Sequence, residues 1–154
     1  MIPEFDGLRD DEIDLLLKAP IYVSILIAGA DGHIDDSERK EAIQTARSKQ
    51  VRARAQLIEY YKEVADDFDL KMEGLIRDLP DDAEQRTSDI VIELRKLNRI
   101  LPKVEKVWAS TFYASLKDMA KRVAEASGGI LGYLTVSYDE AKLVDLKMID
   151  DPSK

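Results

Sequence analysis

The chain contains no cysteine and only one histidine among its 154 residues. The absence of thiols excludes disulfide scaffolds, thiolate zinc sites, iron–sulfur clusters and cysteine nucleophiles, and one imidazole is too few for most histidine-built metal sites. Basic charge is also in short supply: 23 Lys and Arg stand against 31 Asp and Glu, a net charge of −8. That balance argues against a nucleic-acid backbone or an anionic membrane as the main partner, and in favour of cations and basic surfaces. No long hydrophobic run is present. The longest apolar stretch, Ile21 to Ala30, falls short of the ~20 residues of a membrane-spanning helix, so no insertion is expected. The start of the chain, MIPEFDGLRDDEIDLL, is acidic and lacks the basic and apolar regions of a secretory signal. No export is expected, and the lack of cysteine agrees with a cytoplasmic location.

What is present is a folding composition, 45% hydrophobic against 35% charged, in a length that suits one domain. We expect a single domain over 1–154, with short flexible ends at 1–9 and 150–154. Alternating strand patterns and hairpin dipeptides flanked by β-branched runs are missing, while three- and four-residue apolar spacing recurs throughout, so the fold class is all-α.

A first helix is expected from Asp10 or Asp11 to Pro20, and a second, buried one from Ile21 to Ala30. A third should start near Asp36 or Ser37 and carry Ala42, Ile43 and Ala46 on one face. The polar text at 47–54 predicts a break or an exposed stretch. Leu57, Tyr60, Tyr61, Val64 and Phe68 mark a fourth helix, and Leu70 to Leu79 a fifth, stopped by Pro80. From Asp82 the stripe through Ile90, Leu94, Leu97, Leu101, Val104, Trp108, Phe112, Leu116 and Met119 reads as one long amphipathic element, kinked or split at Pro102 and ended by Ser127-Gly128-Gly129. A last helix should follow the capping box at Ser137. An apolar helix, a glycine-containing turn and a capped helix occur at 21–46 and again at 112–146, which suggests a pseudo-two-fold bundle.

The segment Ala30-Asp31-Gly32-His33-Ile34-Asp35-Asp36-Ser37-Glu38 resembles the second half of an EF-hand loop. With Asp31 as the fifth position, Gly32 takes the sixth, Asp35 the ninth and Glu38 the twelfth. The first half is absent, because the first and third positions fall on Ile27 and Gly29, which bring no side-chain oxygen. Such a site would hold Ca²⁺ or Mg²⁺ weakly, with a dissociation constant of about 10⁻⁴–10⁻³ M. The same residues also serve a metal-free role: Gly32 makes the turn, Asp35 caps the third helix and Glu38 completes the capping box.

The apolar helix at 21–30, the Ala-Asp-Gly-x-Ile-Asp-x-x-Glu text at 30–38 and the Ala-Ser-Gly-Gly-x-Leu-Gly and Val-Ser-x-x-Glu texts within 126–140 together resemble the tellurite-resistance B (TerB-like) family. The resemblance implies a bundle of about seven helices with internal pseudo-symmetry. It further implies a bacterial, cytoplasmic stress-response role, a divalent-cation site at the acidic loop, and association with other tellurite-resistance proteins near the membrane. The implied metal ligands are Asp31, Asp35 and Glu38, with Asp36 as an auxiliary carboxylate. The second loop departs from the family pattern, since Ser127-Gly128-Gly129 replaces an acidic text, and Asp139 and Glu140 join the site only if the two loops converge.

No nucleophile with an adjacent base and no general acid/base pair is identifiable, so catalysis is not expected. The glycines at 128–132 lack the Lys-Ser/Thr of a phosphate-binding loop. Arg47, Lys49, Arg52 and Arg54 read as a solvated face, and Trp108, Phe112 and Tyr113 as core. Two functions follow as expectations: a non-enzymatic module that binds a cation weakly and acts through protein contacts, or a metal-free adaptor whose acidic surface docks a basic partner.

Overall fold

The computed structural model describes residues 2–28, 36–52, 57–126 and 143–154. Asp10, Asp11 and Glu12 open helix α1 (Asp10–Ala28), where carboxylates are favoured by the partial positive charge of a helix N-terminus. Glu12 Oε1 also accepts from the Arg9 N–H at 2.9 Å, satisfying one of the donors that a helix start leaves open.

The sequence predicts two helices meeting at Pro20, and the structure joins them, with Pro20 inside α1. An interior proline lacks the N–H that would bond the carbonyl four residues back, and costs about 3 kcal/mol. That carbonyl belongs to Leu16, and the buried Tyr60 hydroxyl donates to it at 2.5 Å. Ser24 Oγ donates to the Pro20 carbonyl at 2.7 Å. Long-range chemistry thus mends what the local sequence would break. From Ala19 to Ala28 every residue of α1 is buried, as expected of the apolar stretch.

Helix α2 (Asp36–Arg52) buries Ala42, Thr45 and Ala46. The polar text from 47 is helical as far as Arg52, with Arg47 and Ser48 exposed. Once nucleated, a helix gains a backbone bond with each added residue and needs no buried face in every turn. Next come α3 (Ile58–Asp66) and α4 (Phe68–Asp78), so Phe68 opens the second of these rather than closing the first. Asp82 caps α5 (Ala83–Arg95), its Oδ2 accepting from the Gln85 N–H at 2.9 Å. A single turn, α6 (Leu97–Ile100), leads to a 3-10 turn at Leu101–Lys103 that holds Pro102, and Val104 is extended. Helix α7 (Lys106–Ala126) then restarts on Glu105, whose Oε2 accepts from the Trp108 N–H at 2.8 Å. The predicted split at Pro102 is therefore present.

The described residues are all-helical, with no strand: six helices and the single turn α6. They form a bundle in which α1 lies against α2, α4, α5 and α7, while α2 also packs on α3 and α7. Its centre is aromatic. Trp108 and Phe112 stack at 5.2 Å, and Tyr60 meets them edge-on at 5.6 and 5.5 Å. Phe5 stands edge-on to Trp108 at 5.3 Å, and Ile2 is buried with it. The segment ahead of α1 thus packs on the core through Ile2 and Phe5. Near the other end, the Asn98 amide donates to the Met148 carbonyl at 3.0 Å and accepts from the Asp150 N–H at 2.7 Å, tying the last residues to α6. The glycine stop at 127–129, the capping box from Ser137, and with them the second copy of the pseudo-repeat lie outside the described residues.

Candidate functional site

Helices α1 (Asp10–Ala28) and α2 (Asp36–Arg52) pack together, and residues 29–35 fall between them in the chain. Asp31 and Asp35 lie outside the described residues. Asp36 and Glu38 are among the first described residues of α2; their side chains are outside the description. Ile27, at the first position of the EF-like frame, is fully buried in α1, so that corner of an EF cage is core. The next cation in sequence, Arg39, is engaged away from the junction: its Nη2 donates to Glu73 Oε1 on α4 at 3.1 Å. Among the described residues no group of three or more His, Asp and Glu side chains is placed to hold a metal ion.

A second feature was not visible in the sequence. Between the N-terminal half of α1 and the α5–α6 segment lies a groove of about 390 Å³. The α1 wall carries Arg9, Asp11, Asp14 and Lys18, and the opposite wall Glu93, Lys96 and Arg99. Most of these charges pair within their own wall. Arg9 Nε meets Asp11 Oδ1 at 3.0 Å, Lys18 Nζ meets Asp14 Oδ2 at 2.9 Å, and Lys96 Nζ meets Glu93 Oε2 at 2.5 Å. The titrations follow this pairing. Arg9 holds the Asp11 carboxyl below the usual carboxylate range, while Asp14 raises Lys18 and Glu93 raises Lys96.

Glu12, at the end of the groove, is buried and accepts from Lys103 Nζ at 2.7 Å, which binds α1 to the 3-10 turn beyond α6. Its carboxyl is lowered first by Lys103 and then by the Arg9 N–H. Burial raises Tyr22, with Glu93 adding to the rise. The residues that make the groove come from 9–22 and 93–100. Opposite charges at i,i+3 and i,i+4 were legible in each segment, but nothing local says that the two segments face one another.

This architecture defines a class, a small all-helical bundle with acidic and mixed-charge surfaces. No family model matches the chain, and no solved structure matches it. The chain is similar to an uncharacterized protein of Methanothermobacter thermautotrophicus, ORF11', at 29% identity over 140 residues, 88% of this chain and 82% of that protein.

Proposed function

We propose that the protein is a non-enzymatic helical module that binds Ca²⁺ or Mg²⁺ weakly at the acidic α1–α2 junction and acts through contacts with other proteins. The observation that carries this reading is the position of the acidic text: it falls between two helices that pack together, and runs into α2 with Asp36 and Glu38. Asp31, Asp35 and Glu38 supply the ligands, with Asp36 as an auxiliary carboxylate. Because the incomplete cage leaves water to fill the remaining positions, the affinity is in the ~10⁻⁴–10⁻³ M range. An ion bound there braces the ends of α1 and α2 and thereby alters the surface offered to a partner. A TerB-like role in bacterial stress response, with other tellurite-resistance proteins as partners and peripheral membrane association, belongs to this proposal. Thermal unfolding tests it. Chelator-treated protein should gain stability in millimolar Ca²⁺ or Mg²⁺, since an ion that binds only the folded state raises the midpoint; Asp31→Asn should abolish the gain.

One observation favours a second reading. Helix α2 is described from Asp36, and a purely capping role asks only that a helix follow this text. In that case the junction only shapes α2, the acidic surface docks a basic partner, and the midpoint does not respond to either ion.

A further inference from the structure

The groove between α1 and α5–α6 has two donors left over once its internal ion pairs are counted. Tyr22 lines it and is 8% exposed, yet among the described residues its hydroxyl has no hydrogen-bond partner. Because Tyr22 lines the groove, that hydroxyl can donate to whatever occupies it, and such groups are normally satisfied by protein, water or ligand. Arg99, on the opposite wall, is exposed and makes no side-chain ion pair among the described residues, although every other cation of the groove has a carboxylate within reach. Both leftover groups donate, and both suit an oxyanion; a guanidinium in particular takes a carboxylate through two parallel bonds.

The rest of the lining argues against a simple anion. Asp14 and Glu93 line the same groove as Tyr22, and among the described residues each is engaged by one lysine ammonium only. A carboxylate has about four acceptor positions, so both can receive a second cation. An anion alone would be repelled by these two groups and a cation alone by the lysines and Arg99, whereas a ligand with both charges meets complementary partners. Leu15 and Ile100 also line the groove and are buried, at 8% and 4% exposure, providing an apolar surface for a side chain. At about 390 Å³ the space lies at the small-molecule end of ligand pockets, which span roughly 300–1,000 Å³.

The geometry points to a binding site for a small zwitterion of the amino-acid class with an apolar side chain, its carboxylate on Tyr22 and Arg99 and its ammonium on Asp14 and Glu93. This site is separate from the acidic junction and independent of any cation held there.

Saturation-transfer NMR and calorimetric titration of the full chain with leucine test it, with acetate, inorganic phosphate and isobutylamine as single-charge controls. Leucine should bind while the three controls bind at least tenfold more weakly. Tyr22→Phe, which keeps the ring and removes only the hydroxyl, should weaken leucine about tenfold, as should Arg99→Gln at its exposed position. Asp31→Asn should leave leucine affinity unchanged. The inference is overturned if leucine does not bind, if acetate or phosphate binds as tightly, or if Tyr22→Phe, shown by circular dichroism to be folded, binds leucine like the parent.

Discussion

The two ends of α1 handle charge in opposite ways. At its N-terminal half, nearly every ionised group has a mate a few residues away, Arg9 with Asp11 and Asp14 with Lys18, and the facing wall repeats the device with Glu93 and Lys96. At its C-terminal end the sequence runs through four carboxylates, Asp31, Asp35, Asp36 and Glu38, before the first Lys or Arg, Arg39, and Arg39 is committed to Glu73. Net charge is therefore a poor guide to either region. A cancelled surface exerts little field and recognises by geometry, whereas a run of acidic residues in the sequence favours whatever positive charge comes near. Between the two lies the Tyr60–Leu16 hydrogen bond, which supports α1 as a single helix across Pro20.

Breaking that contact should have the largest effect. Tyr60→Phe retains the ring among Trp108, Phe112 and Phe5 but leaves the Leu16 carbonyl buried and unbonded, so stability to urea should fall by roughly 1–3 kcal/mol. Pro20→Ala restores the missing N–H and should recover much of that loss in the double variant, as a double-mutant cycle will show.

Next in size is the ion response. At ten times its dissociation constant a cation should stabilise the fold by about 1.4 kcal/mol, and thermal unfolding should show this gain lost in Glu38→Gln but kept in Glu93→Gln. A gain lost in both would erase the contrast between the two ends of the helix. The smallest effect belongs to the surface pairs. A double-mutant cycle on Asp14 and Lys18 should return only about 0.3–0.5 kcal/mol, decreasing in salt, because exposed i,i+4 pairs are screened and entropically weak.

Much of the fold was legible because it is written locally. The start of the element at Asp82, the core stripe from Ile90 to Met119 and the split at Pro102 all follow from spacing and backbone chemistry. Pro20 and Pro102 obey the same local rule yet end differently. Pro102 sits exposed in a 3-10 turn and the chain breaks there, with Glu105 ready to cap the restart. Pro20 is rescued by a hydroxyl 44 positions away from Leu16, and no window on the sequence contains both. Phe5 was missed for a similar reason: one aromatic residue outside any periodic run gains its place only from the cluster formed by Tyr60 and Trp108. The acidic text was legible as a string of carboxylates with loop spacing, and the structure adds that it links two packed helices. The groove was not legible, since its walls lie some seventy positions apart in the chain (Tyr22 to Glu93).

The central claim is that the carboxylates at the α1–α2 junction hold a cation, and calorimetric titration of chelator-treated protein with Ca²⁺ tests it most directly. The account predicts one site per chain with a dissociation constant of about 10⁻⁴–10⁻³ M, lost in Asp31→Asn. An absence of binding heat across several temperatures, or a titration unchanged by Asp31→Asn, would contradict it and leave the junction as a capped helix start.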